Sequence, residues 1–167
     1  WRWIFDVNLW GVIHGCHVFV PRMKARKAGA ILNVASSAGF ACLPEMGPYS
    51  VTKAGVIALS ETLAAELYGT GLSVTALCPT FFKTGILESL RASSERQKSI
   101  AHGMHARSTM TAEQVARCAL RAVEAERLIE IPQADGRLIW RAKRLLPQLF
   151  SRQVGRIAKS SIFERWT

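Results

Sequence analysis

The chain has 167 residues, of which 49% are hydrophobic and 20% charged. This composition is typical of one globular domain and excludes a disordered or fibrous protein. The formal net charge is +10, and +7 of it lies between Arg137 and Thr167, where eight basic residues face one acid. Because the charge belongs to a tail, we expect no nucleic-acid binding by the domain. The uninterrupted apolar runs are shorter than the roughly 18 residues of a transmembrane helix.

The cysteines, histidines and N-terminus give weaker indications. Cys16, Cys42, Cys78 and Cys118 lack the spacing of metal ligands, which predicts small buried side chains in a reducing compartment. We expect core or interface positions for the first two histidines and surface positions, or contact with a substrate, for the last two. These are His14, His17, His102 and His105. "WRWIFDVNLW" is no signal peptide and lacks an initiator Met, so we expect the complete protein to extend upstream.

The first half of the chain predicts two long helices and two buried strands. Residues 5–26 have an apolar pattern of helical length that ends in "KARKAGA". The branched run 30–36 predicts a buried strand, and a loop with Gly and Pro leads to a helix over 49–68. That helix contains small residues that would let another helix approach closely. A second buried strand over 72–78 stops at Pro79.

The second half predicts a loop, a helix, a strand and an extension. After Pro79 the Ser-rich sequence indicates a mobile loop with short helical pieces. Thr111 and Gln114 form a capping box that opens the next helix, and a short strand follows over 128–131. The alternation predicts a parallel α/β sheet covered on both faces. We place the catalytic domain at 1–132 and a basic amphipathic extension at 133–167.

The stretch "GPYSVTK" contains two candidate catalytic residues. Tyr49 and Lys53 are one turn apart at the start of a predicted helix, so they share a face. By itself such a pair occurs by chance in many helices. Ser36 and Ser37, however, end the preceding strand, and the carboxyl ends of parallel strands are where open α/β sheets bind ligands. A serine hydroxyl, a tyrosine and an ammonium group together can move a proton to or from an alcohol oxygen.

Four segments at matching intervals resemble the C-terminal two-thirds of a short-chain dehydrogenase/reductase. They are "VNLWG", "GAILNVASSAGF", "YSVTKAG" and "SVTALCPTFFKT". The resemblance implies a Rossmann-type doubly wound parallel sheet. It also implies that the glycine-rich phosphate loop and the N-terminal half of the sheet lie upstream of this chain, because no segment of the GxxxGxG type occurs in it.

The resemblance implies four catalytic residues. Tyr49 would be the general acid/base, and Lys53 would lower its pKa and hold the nicotinamide ribose. Ser36, which lies 13 positions before Tyr49, would polarise the substrate oxygen, and this spacing favours it over Ser37. Asn8 would position a water in a proton relay that reaches Lys53.

The cofactor and substrate contacts follow from the same resemblance. NAD or NADP would bind at Tyr49 and Lys53 and along the turn that follows the second strand, with the choice between the two set upstream. The cofactor-binding residues in that turn are Pro79, Phe82 and Thr84, and the predicted substrate pocket consists of Leu43, Pro44, Met46 and Phe81. Thr80 departs from the family, which usually has glycine there, so the turn beneath the nicotinamide is expected to differ.

The sequence thus predicts a cytoplasmic NAD(P)-dependent oxidoreductase that interconverts an alcohol and a carbonyl on a fairly apolar substrate. The alternative is a non-catalytic scaffold or peripheral membrane protein of the same fold. No metal site is predicted.

Two partner surfaces are predicted. Helices 5–26 and 49–68 are those that the family pairs across a two-fold axis, which implies a homodimer or tetramer. The segment 137–167 mixes its eight bases with apolar and aromatic residues. This pattern suits an anionic membrane surface, and equally a helix that docks on a dimer partner with its charges solvated.

Overall fold

A computed structural model describes residues 1–85, 88 and 95–159, apart from the side chains of residues 96 and 97. Residues 86, 87 and 89–94 of the predicted loop, and residues 160–167 of the predicted extension, lie outside the described residues.

The first predicted helix is confirmed and begins three residues earlier than expected. It consists of α1 (Arg2–Phe5), a π-helical segment (Asp6–Trp10) and α2 (Gly11–Arg26). Lys27 ends it with a left-handed backbone, φ 54°, and donates its N–H to the carbonyls of the last turn. The π-helical segment adds local bulge geometry, a feature that is frequent at functional sites.

The expectation of no membrane-length helix was too strong. Residues Arg2–Arg26 form one 25-residue helix whose most apolar 18-residue window has a mean hydropathy of 1.2, enough to cross a membrane by length and composition alone. Only 6% of that window is buried within the chain. An apolar helix face of this size needs a covering surface, and a partner subunit meets that need as well as lipid does.

The predicted parallel sheet is confirmed, and β1 forms its edge. Strands β1 (Gly29–Val34), β2 (Leu72–Leu77) and β3 (Ile129–Glu130) pair in parallel in the order β1-β2-β3. The third strand is two residues long, shorter than expected. Alternate β1 side chains, Leu32 and Val34, are exposed among the described residues.

The described part of the predicted domain has four further helices, of which the second and the fourth pack on the sheet. They are α3 (Ala38–Ala41), α4 (Gly47–Glu66), α5 (Glu95–Ala106) and α6 (Ala112–Glu124). The Thr111–Gln114 capping box is present, and α5 is longer than the short pieces expected of this loop.

Two apolar clusters cover the two faces of β2. Val56 of α4 packs with Ala76 and Cys78, whereas Val115 of α6 packs against Leu77. Because neighbouring side chains of a strand point to opposite faces, these clusters lie on opposite sides of the sheet. The helices α4 and α6 therefore bury the strands from both sides.

The C-terminal extension forms two helices, α7 (Ala134–Leu145) and α8 (Pro147–Lys159). Helix α7 is fixed to the domain: Trp140 packs against the first apolar cluster, and Arg137 donates hydrogen bonds to the carbonyls of Ile131 and Pro132 at 2.8 and 2.7 Å. Helix α8 has no buried residue. The two helices of the extension thus differ in how they attach.

Two sequence expectations need correction. Cys16 and Cys78 are buried as expected, but Cys42 is exposed because it follows α3 in a left-handed turn, φ 52°. His14 and His17 are exposed within this chain and so not in its core, while the expected interface position stays a prediction; His14 stacks on Trp10 with 5.7 Å between ring centroids.

Candidate active site

Tyr49 and Ser36 meet where α4 begins beside the end of β1. Pro48 opens the first turn of α4, which suits a residue without an N–H and puts Tyr49 one position further on. The Ser36 side chain lies close enough to the Tyr49 hydroxyl to lower the pKa of that hydroxyl. Ser36 Oγ also accepts from the Ala38 N–H at 3.1 Å, which fixes the rotamer of the serine. The structure thus brings together the two hydroxyl groups that the sequence predicted.

The electrostatics of Tyr49 have two opposing contributions. Burial raises the pKa of the Tyr49 hydroxyl above its ordinary value, and the Ser36 side chain lowers it in part. The raised pKa keeps the phenol protonated, so that it can donate a proton, and Ser36 weakens this effect.

Lys53 shares the face of Tyr49 but points its ammonium group at the sheet edge. Its Nζ lies 5.8 Å from the Tyr49 ring centroid and donates to the Val34 carbonyl, the last of β1, at 2.9 Å. Burial lowers the pKa of Lys53, and the nearby Cys78 opposes this. The expected lowering of the pKa of Tyr49 by Lys53 is not seen, because the ammonium group is engaged by the strand.

Asn8 lies in the π-helical segment and reaches the same face of α4. Its Nδ2 is 3.5 Å from Thr52 Oγ1, a weak contact, and that hydroxyl donates to the Tyr49 carbonyl at 2.8 Å. Thr52 is fully buried and was missed by the sequence reasoning, although it lies within the quoted "YSVTK". It links Asn8 to the backbone of the catalytic turn.

Two glycines let the surrounding helices approach α4. A Cβ at Gly39 would lie 2.7 Å from the Lys53 carbonyl carbon and 2.8 Å from the Ala54 nitrogen. A Cβ at Gly55 would lie 3.0 Å from Leu9, the neighbour of Asn8. The expectation that small residues admit a second helix is confirmed, and the glycines explain why the site elements meet.

The turn after β2 is held from α7, which the sequence did not indicate. Thr80 does not adopt the left-handed backbone that a glycine would allow. Its N–H donates to Gln133 Oε1 at 3.0 Å, and Gln133 Nε2 contacts the Phe81 carbonyl at 3.5 Å. A Cβ at Gly136 would lie 2.9 Å from Thr80 Cγ2, so this glycine makes room for the threonine methyl group. No local signal marks Gln133, since it lies 53 positions away.

Thr84 and Phe82 are placed by neighbours beyond the turn. The Nε2 of His105 lies 3.1 Å from the Thr84 nitrogen and 3.0 Å from its oxygen, so either tautomer gives one hydrogen bond to this backbone. His105 is thus half-buried and structural, not a free surface residue. The Phe82 side chain packs with the cluster around Leu77.

The predicted substrate-pocket residues are dispersed around the α4 entrance. Leu43, Met46 and Phe81 are half-buried and Pro44 is exposed. A cavity of about 240 Å³ lies elsewhere, between α3, α4 and α7, and its lining includes Phe40, Ile57, Trp140 and buried Cys78 but neither Tyr49 nor Ser36. We do not take this cavity for the reaction site, since it lacks both hydroxyl groups.

Cys78 is the buried thiol closest to the site. Burial raises its pKa to about 12, Glu61 adds to the rise, and Lys53 opposes it. A thiol with so high a pKa is no nucleophile at neutral pH. Within the described part of the chain, no group of three His, Cys, Asp or Glu side chains could hold a metal ion.

The family model of short chain dehydrogenases matches residues 1–95. The chain belongs to this family of NAD(P)-dependent oxidoreductases. It is 38% identical to a 3-oxoacyl-[acyl-carrier-protein] reductase of Synechocystis over 92 residues. The aligned segment covers 55% of this chain and 37% of that protein.

Solved structures agree with the fold. A short chain dehydrogenase/reductase from Burkholderia phymatum in complex with NAD superposes with a TM-score of 0.79 and 29% identity, covering 89% of this chain and 59% of that one. A short chain dehydrogenase from Burkholderia cenocepacia in complex with NADP gives a TM-score of 0.72 at 21% identity, covering 90% and 56%. This chain spans under two-fifths of the length of the curated relative and under two-thirds of each structure.

Proposed function

We propose that the complete protein is an oxidoreductase that interconverts an alcohol and a carbonyl with NAD or NADP, and that Tyr49 is its general acid/base. The observation that carries the proposal is that Ser36, after β1, acts on the pKa of Tyr49, while Lys53 lies one turn further along the helix that carries Tyr49, with its Nζ 5.8 Å from the tyrosine ring centroid. A buried phenol beside a serine hydroxyl can exchange a proton with a substrate oxygen placed between them.

Each residue has a distinct part in the proposed reaction. In reduction, Tyr49 gives its proton to the carbonyl oxygen as that oxygen gains negative charge, and in oxidation its phenolate takes the proton of the alcohol. Ser36 orients and polarises the same oxygen. Lys53 would leave the Val34 carbonyl, 2.9 Å away, to stabilise the phenolate. Asn8, through Thr52, supports this face of α4 and the proton relay.

The residues present fit the nicotinamide end of a dinucleotide. The cofactor supplies the hydride acceptor or donor when bound. Lys53 lies within reach of a ribose beside Tyr49, and the backbone of the Pro79–Thr84 turn is held in a fixed shape by Gln133 and His105. Pro79, Phe82 and Thr84 would thus bind the carboxamide end.

A fairly apolar substrate is the finer part of the proposal. Leu43, Met46 and Phe81, which are half-buried, and exposed Pro44 would supply the apolar surface that binds it. The reductase relative named above acts on an acyl-carrier substrate, by its name. This supports a ketone or secondary alcohol on an apolar molecule.

The adjacent serines provide a matched test of the site. We expect Ser36→Ala to lower kcat/KM by about 100-fold, because the donor to the substrate oxygen is lost. It also removes the hydroxyl that lowers the pKa of Tyr49, so the oxidation limb that needs the phenolate moves to higher pH. The measurement is kcat/KM against pH with the complete protein and an apolar secondary alcohol.

Ser37→Ala is the control for this change, since Ser37 makes no side-chain cap for α3. It should keep both the rate and the position of the limb. If the oxidation limb of the pH profile keeps its position in Ser36→Ala, or moves equally in both variants, the role assigned to Ser36 is contradicted.

Gln133→Met tests the turn beneath the proposed nicotinamide site. The variant keeps the volume but removes the acceptor for the Thr80 N–H and the contact to the Phe81 carbonyl. We expect KM for the cofactor to rise about fivefold, with a smaller change in kcat, since one lost hydrogen bond is worth about 1 kcal/mol. Exposed Gln148→Met is the control. An unchanged cofactor KM would refute the positioning role of Gln133.

The alternative is a non-catalytic scaffold of the same fold. The Lys53–Val34 contact favours it, because an ammonium group committed to the strand does not activate Tyr49. Under this alternative the parent protein shows no turnover. Ser36→Ala and Ser37→Ala are then equally inactive, because there is no activity for either substitution to reduce.

We also propose a homodimer or tetramer through helices 5–26 and 49–68. Exposed apolar side chains on these helices support it: Trp10, Val18, Phe19 and Val51. In a two-fold dimer, each copy of this apolar face buries the other copy. We further propose that the protein resides in the cytoplasm and contacts a membrane surface through residues 137–167.

A further inference from the structure

Beyond Asp135 in the first turn of α7, the charged residues of α7 and α8 are all positive. Between residues 137 and 159 there are seven basic residues and no acidic one. The seven are Arg137, Arg141, Lys143, Arg144, Arg152, Arg156 and Lys159. A segment of this length with one sign of charge attracts an anionic surface from within a Debye length.

The two helices also expose apolar side chains. With 3.6 residues per turn, Leu149, Phe150 and Val154 fall within an arc of about 140° of α8, and Arg152 and Arg156 fall outside it. None of the α8 residues is buried, and Leu149 is 50% exposed. An amphipathic helix whose apolar face is open needs a covering surface.

The apolar residues continue from α8 onto α7. Leu145, which ends α7, joins Leu146, Pro147, Leu149 and Arg152 around one shallow depression of about 360 Å³. Leu145 is 78% and Leu146 56% exposed. Trp140 and Phe150 lie beneath the cations Arg144 and Lys143, with 4.8 and 5.8 Å from cation to ring centroid. Arg152 thus shares one surface with these leucines, whereas Trp140, Lys143 and Arg144 line the cavity between α3, α4 and α7.

We propose that α7 and α8 form a docking surface for an anionic lipid bilayer, with α8 lying in the plane of the interface. The apolar face of α8 would insert at the level of the acyl chains while the arginines meet the lipid phosphates. The inference builds on the proposed membrane contact and is independent of the proposed reaction.

Charge decides between a bilayer and a second copy of the chain. A two-fold contact through α8 would bring its three cations, Arg152, Arg156 and Lys159, against their own copies with no acidic residue of α8 between them, which is unfavourable. A bilayer with anionic headgroups neutralises them. The cations and leucines are thus complementary to lipid and not to this chain itself.

Vesicle flotation of the complete protein tests the surface. The vesicles are phosphatidylcholine alone, or phosphatidylcholine with phosphatidylglycerol at about three to one. We expect binding to the mixed vesicles only, and its loss at about 1 M salt, where the screening length is about 3 Å. Arg152→Glu/Arg156→Glu should weaken binding by about thirtyfold, because each basic side chain near an anionic surface is worth roughly fivefold.

The control is Arg117→Glu/Arg121→Glu, which makes the same charge change at the same spacing on the exposed face of α6. It should bind within about twofold of the parent. A second variant, Leu146→Ser/Leu149→Ser, should weaken binding with its charge unchanged. Tyr49→Phe should bind like the parent, which separates this surface from the reaction.

Several results would overturn the inference: equal binding to neutral vesicles, no binding to either kind, or an equal loss in the α6 control. The parent protein could also bind no vesicles and yet show a raised molar mass that Arg152→Glu/Arg156→Glu abolishes. That result would identify a protein as the partner of this surface. Loss of binding in the α8 variants alone, with turnover preserved, supports the inference.

Discussion

Tyr49→Phe is expected to lower kcat/KM of the complete protein by about 1000-fold or more. The substitution removes one oxygen from a buried side chain and keeps the ring that packs at the start of α4. General acid/base groups contribute about 100- to 10,000-fold, so loss of the hydroxyl should remove most of the rate. The measurement is the turnover of an apolar ketone with each reduced nicotinamide cofactor, followed by its absorbance.

The chain contains a matched control for this prediction. Its other tyrosine, Tyr68, is 91% exposed, so Tyr68→Phe makes the same chemical change far from any packed site. We expect that variant to retain the parent rate. Cofactor binding should persist in Tyr49→Phe, since Lys53 and the Pro79–Thr84 turn are untouched. Turnover by Tyr49→Phe at the parent's rate would show that the acid/base role belongs to another group.

Gly39→Ala is expected to damage both the packing and the candidate site. The new methyl group would lie 2.7 Å from the Lys53 backbone and 2.8 Å from that of Ala54, which are shorter than contact distances. Because the clash is with backbone atoms, α3 and α4 must separate. Overpacking of this kind costs about 1–3 kcal/mol and should lower the thermal midpoint by roughly 5 °C.

The same shift should reduce activity, because Tyr49 and Lys53 move with α4. We expect kcat/KM to fall by about 100-fold, as a displacement of about 1 Å at a catalytic group can produce. Gly155→Ala in α8 is the control: nothing lies within 4 Å of its added Cβ, so helix propensity should make it neutral or slightly stabilising. A Gly39→Ala protein as stable and active as the parent would show that α3 is not packed against Lys53.

The pattern of strands and helices was predictable because it depends on local periodicity. The runs 30–36 and 72–78 are apolar enough to be buried on both faces, and they became β1 and β2 with small changes at their ends. The Thr111 capping box likewise acts within four residues. Helix α5 was anticipated only as short helical pieces, because its sequence is polar and has no strong apolar period.

The sequence by itself determined the family, the parallel sheet and the proximity of Ser36 to Tyr49, since each rests on short-range spacing and on strand ends that share one edge. Only the tertiary structure decided where Lys53 directs its charge and what holds the turn at Thr80. Lys53 takes the Val34 carbonyl of an edge strand, and Gln133 reaches Thr80 across 53 positions. Contacts between residues so distant in sequence depend on how helices and strands are packed, and no local pattern encodes them.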